Sequence, residues 1–237
     1  MNGSPRAEIA RRFFSGTGPT YDRIVRLCTL GFDGAWKKKI LAKIPKEPAR
    51  ILDQACGTGI LTFLIAERFP SCQVTGVDMT EEYLEIARRK LRSRKMKNME
   101  FISGRAEDIL LASPLDCITS SYLGKYADLD RLIPNIGKML RPGGRLIMHD
   151  FTYPSSHAFS CLWESYFRIL QIGGGWRYPQ WKTVFYELPG FLRQTRWVKE
   201  LVQTLRANSF REIRVQSLTF GTSAIVTAVN TGPRDED

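Results

Sequence analysis

Asp53, Gly57, Gly59 and Asp78 are spaced so that together they can hold a nucleoside-bearing ligand. The stretch Ile51-Leu52-Asp53-Gln54-Ala55-Cys56-Gly57-Thr58-Gly59-Ile60-Leu61 leads from an apolar run through a glycine turn into an amphipathic segment. Glycine lets the chain turn tightly and lets a ligand reach main-chain N–H groups that a Cβ would block. Asp78 ends the next apolar run, nineteen residues after Gly59, where a carboxylate can accept both hydroxyls of a ribose. Asp53, ahead of the turn, can hold a charged ligand amine directly or through water. The loop Arg105-Ala106-Glu107-Asp108 can read an adenine edge. A dinucleotide fingerprint would need a third glycine or small residue, and a phosphate loop would need Gly-Lys-Ser/Thr; both are missing.

The elements that must position these groups alternate. Apolar runs predict strands at Arg50–Gln54, Gln73–Val77, Met99–Ser103, Cys117–Ser121 and Arg145–Asp150. Helical periodicity falls between and after them, at Ile60–Arg68, Glu81–Arg92, Leu129–Leu140 and Ser156–Ile172. Thr80 followed by Glu81 and Glu82 is a good helix start, and Arg141-Pro142-Gly143-Gly144 predicts a tight turn that launches strand five. Such alternation implies a parallel sheet with helices on both faces. A helix at Thr195–Ala207 and strands at Glu212–Ser217 and Ser223–Val229 follow. The link between those last two strands is too short for a parallel crossover, so they pair antiparallel or lie apart.

Ahead of the first strand, Ala7–Phe14, a pattern from Thr20 to Cys28, and Ala35–Ile44 read as helices, broken at Gly31. The expected organisation is an α/β, Rossmann-like, seven-stranded and mostly parallel sheet with an antiparallel C-terminal hairpin. Residues 1–47 form an N-terminal helical cap, residues 48–232 the main domain, and residues 233–237 a disordered tail. A Gly/Trp/Tyr-rich insertion at about 173–194 reads either as packing on the core or as a lid over a flat, apolar substrate.

Composition narrows the class. A 237-residue chain with 43% hydrophobic residues has ample material for a core. Five scattered cysteines, no CxxC and only two histidines argue against both a disulfide framework and a metal site. Cys56, inside the turn, is expected beside the ligand. No apolar run reaches the roughly 18–20 residues of a membrane span, and the N-terminus makes a poor signal peptide, so the expected location is cytoplasmic. The net charge of +11 owes much to Arg88–Lys97, with seven basic side chains at a helix end. That cluster suits a solvated helix terminus or an anionic lipid surface better than nucleic acid.

With the motifs DQACGTG, VTGVD and LRPGG and the terminal hairpin, the chain resembles class I S-adenosylmethionine-dependent methyltransferases over about residues 48–150 and 208–229. More narrowly it resembles the ubiquinone and menaquinone biosynthesis C-methyltransferases. Phe14, Tyr21-Asp22, Trp36-Lys37, LRPGGRLIMHDFTYP and Leu218-Thr219-Phe220-Gly221 carry that closer likeness. The resemblance implies S-adenosyl-L-methionine as cofactor, with family contacts falling on Thr58, Asp78, Arg105, Ala106 and Ser121. Tyr21, Asp53, Ala55, Gly57, Gly59, Met79 and Glu107 complete the candidate cofactor set.

It also implies a hydrophobic small-molecule acceptor, such as a polyprenyl quinol, and a peripheral site at the inner membrane face; a homodimer stays open. Methyl transfer from a sulfonium needs alignment and desolvation, and a phenolic ring carbon needs a base or cation nearby. His149 and Asp150, ending strand five, are the first candidates, with Asp150 aligned to a family Glu; Tyr122, Lys125, Tyr153 and Tyr178 come next. The chain departs from the family pattern at Ile60, where relatives carry Asp, and at Lys125-Tyr126, where they carry Arg-Asn. Another lipophilic phenol or natural product therefore remains an alternative acceptor, and a non-catalytic binding protein on the same fold a third reading.

Overall fold

The computed structural model describes residues 5–232, so the expected tail at 233–237 and the first four residues of the expected cap lie outside the described residues. The cap is built from α1 (Pro5–Phe14), α2 (Tyr21–Cys28) and α3 (Phe32–Leu41). Gly31, at φ +80°, makes the break between the last two, and α3 starts at Phe32 rather than Ala35. Strands β1 (Arg50–Gln54), β2 (Gln73–Asp78), β3 (Met99–Ser103), β4 (Leu115–Ser121) and β5 (Leu140–Phe151) follow. They are interleaved with α4 (Ile60–Arg68), α5 (Glu81–Arg94) and α6 (Leu129–Met139). After β5 come α7 (His157–Ile169), α8 (Gly175–Arg177), α9 (Lys182–Gln194), α10 (Trp197–Ala207), β6 (Phe210–Leu218) and β7 (Ser223–Asn230).

The sheet is seven-stranded in the order β3-β2-β1-β4-β5-β7-β6. The first five strands pair in parallel, while β7 runs antiparallel between β5 and β6. Strand order reverses between β1 and β4, which opens a crevice at the carboxyl ends where such sheets take ligands. One face packs on α6 and α10 through Leu132, Ile136, Leu201 and Leu205. The other packs on α3 and α4 through Trp36, Ile40, Leu61 and Ile65. A third apolar cluster joins the cap to α7 and α9 through Phe13, Ile24, Phe167 and Leu192.

One expectation needs correction. Arg141-Pro142-Gly143-Gly144 is not a turn ahead of strand five. Pairing already begins at Leu140 opposite Leu115 and resumes at Arg145 opposite Cys117, so these residues bulge out of the strand, with Gly143 at φ +78°. The aromatic insertion is mostly helical. The chain leaves α7 through one π-helical turn (Leu170–Gly174), and α9 then buries Val184, Phe185, Leu188 and Leu192. Pro189 sits inside that helix, and with Gly190 it disguises the periodicity in the sequence.

Candidate functional site

Two cavities meet above the carboxyl ends of β1, β2 and β4. The first is walled by the turns that leave β1–β4 and by α1 above them. Its polar side carries Asp78, Arg105 and Glu107. Asp78 accepts hydrogen bonds from the Gly57 and Thr80 amides, each at 2.8 Å, so the glycine turn and the start of α5 hold its carboxylate in place. Burial raises the Asp78 pKa, and those amides oppose the rise. Gly57 and Gly59 stand at φ +57° and +85°, and a Cβ on Gly59 would lie 2.8 Å from the Phe63 ring. Arg105 lines the cavity with its buried Nε and Nη2 unbonded, Glu107 being the nearest acid at 3.6 Å.

These residues fit a cationic nucleoside such as S-adenosylmethionine. A buried carboxylate held by two amides faces the cavity, two arginine nitrogens make no hydrogen bond, and backbone stands bare where side chains would intrude.

The second cavity shares Phe14, Tyr21, Tyr122 and Tyr126 with the first. Ile24, Cys28, Phe167, Trp181 and Leu188 make it apolar, and Lys125 is the one charged residue among the described residues that line it. The Lys125 ammonium pairs with Asp150 and lies 4.4 Å from the Tyr126 ring centroid. Asp150 is also held by the amides of Lys125 at 3.0 Å and Phe151 at 2.7 Å. Burial lowers the Lys125 pKa, and Asp150 counters this.

Beneath the shared wall, the Tyr122 hydroxyl donates to Asp33 at 2.6 Å, and Asp33 pairs with Lys37 one helical turn along α3. Tyr122 sits at φ +74°, which a bulky residue adopts only where its surroundings enforce it. His149 is fully buried between the Ser121 and Ser223 hydroxyls, at 2.9 and 2.6 Å. Burial, with Lys37 and Lys125 nearby, pushes its pKa well below the usual value and keeps the ring neutral.

Of the residues expected from sequence to hold the cofactor, Tyr21, Ala55, Gly57, Asp78, Met79, Arg105, Ala106, Glu107 and Ser121 line the first cavity. Three do not. Asp53 lies behind the turn, accepting from Thr62 at 2.7 Å and Thr119 at 2.8 Å. Thr58 bonds Asp22 of α2, tying cap to turn, and Gly59 caps α4.

Among the catalytic candidates, Tyr122 and Lys125 face the cavities, while His149 and Asp150 stand behind the wall. Tyr153 bonds Glu164, and Tyr178 lies under Arg23; neither lines either cavity. Cys56 is buried, and its thiol points at the Gly57 carbonyl instead of the cavity; Cys28 is the thiol that meets the apolar space. Sequence reasoning passed over Asp33. Its signal was an i,i+4 acid–base pair on a helix whose Trp36 and Ile40 point inward, a pair ordinarily read as a solvated face.

Burial raises the Asp53 pKa to about 6 despite the two hydroxyl donors. The folded value lies above the ~3.9 of an unfolded chain, so the native state binds the extra proton between those two values. Stability from this group is therefore present at acid pH and lost as pH rises through about 6. The limit is up to about 3 kcal/mol at 1.36 kcal/mol per unit. Asp53→Asn is expected to gain melting temperature over the parent as pH goes from about 4 to 7, which scanning calorimetry across that window measures. A difference that stays constant with pH would refute the assignment.

A sequence model described as the ubiE/COQ5 methyltransferase family matches residues 5–230. A demethylmenaquinone methyltransferase of Thermus thermophilus is 33% identical over 218 residues, covering 90% of this chain and 97% of its own. The ubiquinone/menaquinone biosynthesis C-methyltransferase UbiE of Geotalea daltonii is 28% identical, covering 94% and 96%. Among solved structures, geranyl diphosphate C-methyltransferase of Streptomyces coelicolor, complexed with Mg2+, geranyl diphosphate and S-adenosyl-L-homocysteine, aligns at TM-score 0.58 and 12% identity. The alignment covers 84% of this chain and 79% of that one, a likeness of fold.

Proposed function

The chain belongs to the ubiE/COQ5 methyltransferase family and is an S-adenosylmethionine-dependent methyltransferase; on that premise we propose that it methylates a ring carbon of a polyprenyl quinol resembling demethylmenaquinol. The observation that carries this reading is the apolar cavity with a single buried cation, set against the polar cavity across a common aromatic wall. S-adenosylmethionine supplies the activated methyl group.

Asp78 takes the ribose hydroxyls at the glycine turn, and Arg105 with Glu107 meets the rest of the polar ligand. Phe14, Tyr21 and Tyr126 exclude water from the reacting atoms and hold the acceptor ring in line. Lys125 stabilises the acceptor's oxygen as its anion, which makes the adjacent ring carbon nucleophilic. The hydroxyl proton passes to Tyr122 as the Tyr122 proton passes to Asp33; it returns by the same path to the oxygen when the methylated carbon gives up its ring hydrogen as a proton to solvent and the ring regains aromaticity. Asp150 and His149 act as positioning residues, the first through Lys125 and the second under Tyr122, whose ring centroid is 5.2 Å away.

The acceptor is membrane-borne in this reading, so the enzyme works in the cytoplasm against the inner, anionic face of the membrane. No helix among the described residues is long and apolar enough to cross a membrane. A second reading, methylation of another lipophilic phenol, is favoured by Lys125 standing where the family pattern has Arg. Incubating the purified chain with methyl-labelled cofactor and a demethylquinol should give label on the quinol ring carbon. Label on a soluble phenol or amine with none on the quinol would overturn the first reading.

A further inference from the structure

An apolar face surrounds the outer opening of the second cavity. Leu162, Tyr166, Ile169, Ile172 and Trp176 follow one another at spacings of four, three, three and four residues along α7 and its continuation, and so line one side. Trp176 is 85% exposed and Ile172 78%. Across from them stand Leu27 in the last turn of α2 and Leu30 just past its end, and Phe220 projects from the turn between β6 and β7. Tyr166 ties the two sides together by donating to the Leu27 carbonyl at 3.0 Å. The recess between Leu30, Leu162 and Phe220 adjoins the inner cavity, Cys28, Thr29, Phe151 and Trp163 lining both.

Two features separate this face from ordinary exposed apolar residues. Leu30 and Phe220 stand at φ +50° and +56°, where asparagine, aspartate or glycine is the residue that backbone energetics favour. Large apolar side chains are held there at 68% and 67% exposure, Phe220 keeping one ring contact, a stack on Phe159 with centroids 4.3 Å apart. Charge is one-sided as well. Every acid on α2, α3, α7 and α8 is paired: Asp22 with Lys90, Asp33 with Lys37, Glu164 with Arg193. Arg23, Arg26, Lys39, Arg168 and Arg177 on those same helices are exposed and make no ion pair among the described residues. An apolar stripe bordered by unpaired cations matches an anionic bilayer, whose surface attracts the cations while its acyl region takes the apolar side chains.

We infer that this face, and not the basic tip of α5, docks on anionic lipid, and that its recess is the portal through which a polyprenyl tail enters the inner cavity. The portal rests on the quinol reading above; the docking does not.

Flotation of the full chain with vesicles of phosphatidylglycerol and phosphatidylcholine tests it, with pure phosphatidylcholine as reference. Leu30→Asn with Phe220→Asn relieves the backbone at both positions and gives up the Phe159–Phe220 stack, so melting temperature should change little. Partition onto the anionic vesicles should fall about tenfold or more, as expected when two large apolar groups are withdrawn from the interface. Turnover of a short-tailed, water-soluble quinol should stay unchanged, while turnover of a long-tailed quinol in vesicles drops with partition.

Charge reversal at Arg89 and Arg92 of α5 and at Lys97 just beyond its end should matter less. Binding lost there and retained in the double variant overturns the face. A dimer that the double variant splits, with vesicle binding unchanged, would make the patch a contact between copies of the chain. A parent protein that ignores vesicles yet methylates the short-tailed quinol overturns the docking and leaves the acceptor reading standing. A vesicle-bound protein that methylates no quinol overturns that reading and the portal with it.

Discussion

Replacing Lys125 by methionine should lower kcat by about 10²–10³-fold, the usual cost of removing one charge-stabilising donor from a desolvated site. The same change strips a buried carboxylate of its partner, which costs about 3–5 kcal/mol of stability. Activity could then fall through misfolding alone. Lys125→Met combined with Asp150→Asn separates the two effects, because the double variant no longer buries an unpaired charge. Stability should recover in it while kcat stays low; recovery of both would make Lys125 a structural residue only.

Asp150→Asn alone gives a second readout. Burial already lowers the Lys125 pKa and Asp150 opposes that fall. Neutralising Asp150 should therefore pull the alkaline limb of the rate profile toward lower pH. The sign follows from removing an anion that favours the ammonium form.

Asp78→Asn should raise the Kd for S-adenosylmethionine about 10- to 150-fold. Hydrogen bonds to a charged acceptor contribute about 1.5–3 kcal/mol each, and 1.4 kcal/mol is tenfold in affinity. Asparagine keeps one acceptor for the two amides that Asp78 now serves, so the turn loosens as well as losing its charge. Isothermal titration beside a melting curve distinguishes lost recognition from lost folding. An unchanged Kd would show that Asp78 shapes the turn without touching the ligand.

The architecture could be read from sequence because its signals are local. Alternation of apolar runs with helical periods specifies a parallel sheet, and the short link at 218–222 excludes a parallel crossover, leaving an antiparallel pair, which the structure has, or two strands apart. The glycine turn and Asp78 are likewise close in sequence and lie at strand ends, so their meeting in one cavity follows from the fold. What escaped depends on long-range packing. Asp33 reads as a surface acid until α3 is laid against β5, where it meets Tyr122 from 89 positions away. Asp53 and Thr58 have the right neighbours in sequence and face the wrong way in space, one toward Thr62 and Thr119, the other toward Asp22. The α9 helix was hidden for a different reason. Pro189 and Gly190 are strong local breakers, and only burial of Val184, Phe185, Leu188 and Leu192 against the cap outweighs them.

Phe14, Tyr21, Tyr122 and Tyr126 belong to both cavities. A ligand that fills one side settles rings that the other ligand must also meet, so the two binding equilibria are not independent. Thermodynamic reciprocity then requires that whatever factor the acceptor applies to cofactor affinity, the cofactor applies to acceptor affinity. A change in acceptor size made through any of these four rings is at the same time a change in how tightly the spent cofactor is retained. Selectivity and turnover are thereby set by one wall, and neither can be redesigned there alone.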